Sequence, residues 1–263
     1  MDFTKGKRVF SMQVLLIVLV GVLWEILASQ FNQFKFLLGS PSSVGQELVA
    51  LIINENFFYH FFLTGSEALV GFLIGTSLGT TCGLLLWYSE FTSKVMKPFI
   101  IVMGSIPVFA FAPLLVVWFG IGFWMKVVLA FLSTFFIALT NAHKGATLVS
   151  NQFLDLLEIY GADKRSKFFK VVLPGSIEWV LNSLRLNIGF ALLGAFIGEF
   201  ISSENGLGRL ILRATGLYNV PKALAAAIGI ILLAFIFDFI AGKIESKRHS
   251  IIQLISVPKA LKN

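Results

Sequence analysis

The chain has 263 residues, of which 57% are hydrophobic and 13% charged, with 28 phenylalanines and a mean hydropathy of +0.86. A soluble globular domain carries about 25% charged residues, so this surface cannot be wetted, and a soluble enzyme or a nucleic-acid binder is excluded. The 21 basic residues exceed the 14 acidic ones by a net +7, which in such a chain is an address within a membrane rather than a nucleic-acid footprint.

Six spans follow in chain order. The first runs from about Val9 to Ser29. A signal peptide is the alternative there, but the apolar stretch is longer than a signal's apolar region. About twenty apolar residues suffice to cross a bilayer. The others are about Phe61–Tyr88, Pro98–Phe119, Trp124–Ala142, Pro174–Ile201 and Ala223–Ala241. The third ends before a Gly120-Ile121-Gly122 turn, and the fifth is unusually polar. Between the first and second spans, Ser40-Pro41-Ser42-Ser43 is a helix-start signal. Val44, Leu48, Leu51 and Ile52 follow at helical spacing, which predicts a short helix lying on the outer interface. The single cysteine, Cys82, supports neither a disulfide nor a thiolate metal site, and no metal is expected.

Lys and Arg set the orientation. With a cytoplasmic N-terminus, fifteen of them fall inside, from Lys5, Lys7 and Arg8 through Lys164, Arg165, Lys167 and Lys170 to the C-terminal tail. Five fall outside: Lys35, Lys126, Arg209, Arg213 and Lys222. Both termini are expected in the cytoplasm.

The cytoplasmic segment Asn151–Pro174 is longer than a tight loop needs. Phe153, Leu157 and Tyr160 make an apolar stripe at helical spacing, with Asp155 and Glu158 on other faces. Gly161 supplies a left-handed helix stop. Asp163 can cap a second short helix carrying Lys164, Arg165 and Lys167. A helix–Gly–helix element of this kind fits a groove on a cytoplasmic partner. Its basic residues also suit a loop lying on lipid headgroups.

Asp155-Leu156-Leu157-Glu158-Ile159-Tyr160-Gly161, nine residues, then Val171-Val172-Leu173-Pro174 resembles the "EAA" loop of ABC importer permeases. That loop reads Glu-Ala-Ala, three residues, Gly, nine residues, Ile-x-Leu-Pro. This chain departs from it in Asp155 for Glu, Leu156-Leu157 for Ala-Ala and Val171 for Ile. Other segments, in order over residues 38–245, resemble the nitrate/sulfonate/taurine branch of these permeases. They include Ser40-Pro41-Ser42, His60 with Gly71-Phe72, Ile106-Pro107 through Pro113-Leu114, Trp118 to Gly122 with Lys126, Leu184-Arg185, Glu199 and Gly206-Leu207-Gly208. The resemblance implies an all-α integral membrane fold of six transmembrane helices, like that of type I and methionine importers, in a bacterial inner membrane. It implies pairing with a second, usually identical, permease subunit. Two cytoplasmic ATP-binding subunits would carry the ATP and Mg, and an extracytoplasmic solute-binding protein would dock outside. Asp155, Glu158, Gly161, Ala162, Lys164, Arg165, Leu173 and Pro174 would couple to the ATPases. The chain contains no Gly-x-x-x-x-Gly-Lys-Ser/Thr loop to cradle phosphates, so no cofactor is expected on it and it should not hydrolyse ATP itself.

Within the membrane, Gly71, Gly75, Gly79 and Gly83 recur every four residues, a spacing that lets helices pack closely in lipid. The same run contains Gly75-Thr76-Ser77-Leu78-Gly79, which also fits a serine nucleophile of a rhomboid-like intramembrane protease. Such a nucleophile needs a base within reach, and His60, His143 and His249 all lie near span ends or in the tail. Glu178, Asn182, Arg185 and Gly189 share one face of the fifth span. Asn182, Arg185, Glu199, Pro107 and Phe109 are candidates for the solute path, with Arg185 alternatively a structural ion pair with Asp238. Glu25 is a further polar candidate. Pro107 and Pro113 interrupt the third span's hydrogen-bond ladder, for a bend, a gate, or a kink absorbed by neighbouring helices. The Gly-rich turn 202–208, with residues 32–60, is where a binding protein would dock, or is an ordinary turn. The function expected is a permease subunit moving a small anionic solute, such as nitrate, bicarbonate or a sulfonate, by alternating access. An ATP-independent secondary transporter or channel is the other class, and co-purification of a nucleotide-binding subunit separates the two.

Overall fold

The structure, a computed structural model, describes residues 3–246. Every regular element among them is helical. The helices are α1 (Phe3–Gln30), α2 (Asn32–Leu38), α3 (Pro41–Asn54), α4 (Phe57–Leu85), α5 (Glu90–Ser105), α6 (Ala112–Phe119), α7 (Phe123–Thr147), α8 (Asn151–Ile159), α9 (Lys164–Lys167), α10 (Leu173–Ile201), α11 (Leu207–Gly216) and α12 (Val220–Ser246). The basic tail from Lys247 onward lies outside the described residues. We call the two ends of the bundle the α3 end and the α8 end.

Six crossings connect these ends: α1, α4, the α5–α6 pair, α7, α10 and α12. Gln33–Asn54 is also long and apolar enough to cross, but its contacts place α3 elsewhere. Glu47 accepts a hydrogen bond from Asn219, Glu55 pairs with Lys222, and Gly39 abuts Pro221. Fourteen helical residues rise about 20 Å, yet contacts from both ends of α3 reach Asn219, Pro221 and Lys222, all at the start of α12. Helix α3 therefore lies across the end of α12, and a short helix here is what its start signal and apolar spacing predict. Ser40 caps it in a reciprocal box with Ser43, and the Glu25 carboxylate of α1 accepts from Ser42 N–H at 2.9 Å and Ser42 Oγ at 2.7 Å. A carboxylate at a helix N-terminus is favourably placed, so Glu25 serves as an anchor.

The centre of the bundle is the contact between α4 and α7, which run side by side in the same direction. Gly71, Gly75, Gly79 and Gly83 face Ala130, Thr134, Ala138 and Ala142 in constant register. A Cβ added at Gly75 would lie 2.0 Å from Thr134 Oγ1, and one at Gly79 would lie 2.3 Å from Phe135 O. Helix α10 packs on another face of α7 and runs opposite to it. Gly194 meets Ala130, Gly198 meets Lys126, and Gly145 of α7 meets Trp179.

The third span is not a single helix over 98–119. Helix α5 starts at Glu90, its chain breaks at Ile106-Pro107, and the two halves meet at 82°. Ile106 is extended, with φ −73° and ψ 128°, because a residue preceding proline is pushed out of the helical region. Pro113 sits in the first turn of α6, where its missing N–H costs nothing, so the bend belongs to Pro107.

Replacing Gly79 with Leu should drive a side chain into the α7 backbone and lower stability by about 3 kcal/mol or more. Gly21→Leu, with no atom near its Cβ position, should change it by less than about 0.5 kcal/mol. Thermal unfolding of the two variants in detergent measures the contrast.

Candidate functional site

Asn151–Val172 forms a two-helix element at the α8 end. Helix α8 closes in a left-handed glycine stop. Gly161 has φ +73°, its N–H reaches Glu158 O at 2.8 Å, and Ala162 N–H reaches Leu157 O at 2.9 Å. This paired return satisfies the last carbonyls of the helix. Asp163 Oδ1 then accepts from Ser166 N–H at 3.0 Å and starts α9. Lys167 Nζ donates to Glu158 Oε2 at 2.6 Å and ties α9 back to α8. That bond, with the lysine charge, holds the Glu158 carboxyl below its ordinary range. The clasp is thus present at neutral pH and is lost only as pH falls through that lowered value.

The exposed apolar face of α8 differs from the stripe expected from sequence. Phe153, Leu156, Ile159 and Tyr160 are exposed, Ile159 by 82% and Tyr160 by 80%. Leu154 and Leu157 turn inward, Leu154 against Ala146, Phe168 and Val172. Apolar residues lie on both sides of α8, so spacing alone cannot say which side packs. Asp155, Lys164 and Arg165 are exposed and Ala162 is half-buried. Lys164 lies over the Trp87 ring and Arg165 over the Phe169 ring, each at 5.9 Å.

The element is rooted rather than hung. Phe168 is buried against Trp87 and Tyr88, with ring centroids at 5.8 and 4.7 Å. Residues Phe168–Val172 form a wide helical turn running directly into α10. Pro174 follows at once, and Leu173 and Pro174 are half-buried. A proline cannot donate to the helix ladder and crowds the carbonyl one turn back. The widened turn takes up that conflict and keeps α9 and α10 continuous.

At the α3 end, four elements meet in a polar cluster that sequence reasoning did not assemble. Glu67 and Glu199 are 0% exposed and Lys126 is 4% exposed. Lys126 Nζ lies 3.3 Å from Glu67 Oε1. Glu199 accepts from Thr64 Oγ1 at 2.6 Å and from Gly208 N–H at 2.7 Å. Thr64 Oγ1 in turn accepts from Leu207 N–H at 2.9 Å, and His60 Nδ1 accepts from Gly206 N–H at 2.8 Å. The Glu199 carboxylate thereby caps the N-terminus of α11. Gly206, with φ +105°, has Glu199 Oε1 2.0 Å from where a Cβ would stand, so only glycine lets the turn approach this closely. Glu199, a solute-path candidate by sequence, ties α4, α10 and α11 together. Lys126, counted among the outer charges, is inside the bundle. Glu67 was missed, although it is the one charged residue of the predicted span 61–88 and such residues normally have partners.

Of the remaining path candidates, Pro107 and Phe109 line a cavity of about 370 Å³ at the α5–α6 break, together with Phe136 of α7 and Phe190 of α10. Asn182 and Arg185 are exposed on α10. The Arg185 guanidinium lies 3.5 Å from Asp238 Oδ1 and 3.3 Å from Glu245 Oε2, which is the ion-pair alternative. Asn187, buried and unremarked in the sequence, donates to Thr76 Oγ1 at 3.2 Å and ties α10 to α4. Ser77 is exposed on α4. His60 is bonded to the Gly206 turn and His143 to Ser93, so neither serves Ser77 as a base.

Lys126→Met should leave the buried carboxylates without their cation and destabilise the protein by about 3–5 kcal/mol. Adding Glu67→Leu should recover part of that loss. Unfolding midpoints of the single and double variants test it.

Three comparisons bear on this geometry. The profile of the family described as binding-protein-dependent transport system inner membrane component matches residues 71–250. The formylaminopyrimidine transport permease protein of Halalkalibacterium halodurans is 31% identical over 87% of this chain and 90% of its own length. The putative aliphatic sulfonates transport permease protein of Bacillus subtilis is 26% identical over 85% of this chain and 80% of its own. The riboflavin transport system permease protein of Chloroflexus aurantiacus is 28% identical over 87% and 85%. Among solved structures, a chain of an inward-facing methionine ABC transporter superposes with a TM-score of 0.65 at 15% identity, over 73% of this chain and 95% of that one. The likeness at that identity concerns the fold.

Proposed function

The chain belongs to the binding-protein-dependent transport system inner membrane component family and is an ABC importer permease subunit. On that premise we propose how it works. The α8 end faces the cytoplasm of a bacterial cell, and both termini lie on that side. A second permease subunit, an identical copy, completes the route. Two ATP-binding subunits, which carry the ATP and Mg, each take one α8 element in a groove. A solute-binding protein docks at the α3 end, over the 202–208 turn and α3. ATP-driven closure of the motor subunits moves α8–α9, and the continuous helix from Lys164 to Ile201 carries the displacement into the bundle as alternating access.

The observation that supports this most is the exposed α8 face on a rooted element. Four large apolar side chains stand outward on a helix clasped by Glu158–Lys167 and anchored by Phe168. That is the anatomy of an anchor awaiting a pocket.

The expectation of an anionic solute came from the resembled branch, with Arg185 as a secondary hint, and the Arg185 charge already lies between two carboxylates. The relatives are named for a formylaminopyrimidine, for aliphatic sulfonates and for riboflavin. We propose a small organic solute.

Ile159→Asp should loosen the motor subunits and cut solute uptake about tenfold or more, since a central apolar anchor is worth at least about 1.4 kcal/mol. Gly161→Val, strained at φ +73°, and charge reversal at Asp155 and Glu158 should act in the same direction while the chain stays in the membrane. Uptake at the unmodified rate in all three variants would contradict the proposal.

A further inference from the structure

Three successive backbone amides at the start of α11 go to three side chains. Leu207 N–H reaches Thr64 Oγ1 and Gly208 N–H reaches the Glu199 carboxylate. Gly206 N–H, just ahead of the helix, reaches His60 Nδ1 at 2.8 Å. A helix start leaves such amides without partners of its own. The Gly206 bond matters most for the turn that precedes α11. Within that turn Ser203 Oγ donates to Asn205 O, and Asn205 N–H donates to Ser203 Oγ. Those bonds are internal. Among the described residues, the hydrogen bond that ties 203–206 to α4 is therefore the one from Gly206 to His60.

The three acceptors differ in chemistry. Thr64 and Glu199 are enclosed by the bundle, and a hydroxyl does not titrate near neutral pH. His60 is half-buried. It borders a cavity of about 360 Å³ whose lining includes the exposed Glu204 and Arg213, so water reaches the ring from the α3 end. Accepting at Nδ1 fixes the neutral tautomer with its proton on Nε2. A second proton can enter only at Nδ1, on the lone pair that Gly206 N–H uses. Two N–H groups would then point at each other. The bond and the charged ring are mutually exclusive.

The surrounding charges decide where a charged ring goes. Across the cavity stand Glu204 of the turn, Arg209 and Arg213 of α11, and Glu55 of α3, the last paired with Lys222 of α12. Tyr59 of α4 lies edge-on to the ring, with centroids 5.4 Å apart. Glu67, Lys126 of α7 and Glu199 of α10 sit deeper, in the buried cluster. Glu204 attracts an imidazolium, whereas Arg209, Arg213 and Gly206 N–H repel it. The ring leaves its place and the turn loses its tie, while Thr64 and Glu199 still hold α11. The bond thus orders the turn where the imidazole is neutral, and that order is lost as pH falls through the ring's titration.

Resting on the permease reading, which makes this turn part of the docking face, we propose that His60 is a positioning residue for the turn 203–206 and that its protonation unlatches the turn in acid.

A nitroxide spin label at Asn205→Cys, in a Cys82→Ser background, reads the latch in the full-length chain purified with whatever subunits accompany it. Lowering the pH from about 7.5 to about 5.5 brackets the ordinary imidazole range. Over that interval the mobile fraction of the label should rise about threefold or more. His60→Asn puts an amide oxygen where Nδ1 stood and cannot titrate, so the label should stay in its neutral-pH state throughout. His60→Leu offers no acceptor, and the label should be mobile at both values. Ring-nitrogen NMR of the histidine-labelled chain gives a second readout that needs no leucine variant. The signal missing from His60→Asn should report an unprotonated Nδ1 at the higher pH and lose that state at the lower. A label indifferent to pH, an equal rise in His60→Asn, a label held still in His60→Leu, or a protonated Nδ1 at the higher pH would overturn the assignment. Failure of the permease reading would show separately, as absence of a nucleotide-binding subunit from the purified material, since neither spectrum depends on one.

Discussion

Along four successive turns α4 presents only hydrogen to α7. Lipid tails are as apolar as leucine, so helices in a bilayer gain little from merely burying side chains and depend on close contact instead. The ladder Gly71, Gly75, Gly79, Gly83 against Ala130, Thr134, Ala138, Ala142 supplies that contact. It also sets the direction and the axial offset of the two helices, since a slip of one residue would bring side chains into the seam. Helix α10 then seats on α7 through Gly194 and Gly198. The three helices form a rigid frame, and the polar features at both ends are positioned by it.

Those features share a helix. From the root at Phe168 to the cap at Glu199, one helical run crosses the whole bundle. At one end it carries the α8–α9 element, and at the other it holds the N-terminus of α11 through the Glu199 carboxylate. Buried ion pairs are poor sources of net stability but strict about geometry. The Glu67–Lys126 pair and the Glu199 cap are better understood as fixing where the turn 202–206 sits relative to α4 and α7. Movement imposed at the α8 end thus has a defined destination at the α3 end. The α5–α6 break, held by few contacts of its own, lies beside that line of transmission and contributes the cavity.

Much of this was legible in the sequence because the signals are local. The glycine repeat, the Ser40-Pro41 helix start, the Gly161 stop and the Asp163 cap each depend on residues within one turn. The structure puts a cap or a close contact at each. The rest depends on partners far apart in the chain. Thr64 meets Glu199 across 135 residues, and no spacing rule joins Glu67, Lys126 and Glu199. Lys126 belongs to a helix that begins at Phe123, yet a charge four residues after a glycine turn looks like part of the loop. The buried side of α8 was ambiguous for the opposite reason, since five leucine, isoleucine and phenylalanine side chains among its nine residues spread over more than one face. Pro107 announced a break, but not its 82° angle, which is set by what α5 and α6 pack against.

The central claim is that the exposed face of α8 is the seat of a cytoplasmic motor subunit. A cysteine at position 159, introduced as Ile159→Cys in a Cys82→Ser background, measures it with a membrane-impermeant maleimide. The account predicts labelling in inverted vesicles stripped of peripheral subunits, and protection when those subunits are retained. Labelling from the opposite side of the membrane, or equal labelling with the subunits present and absent, would contradict it.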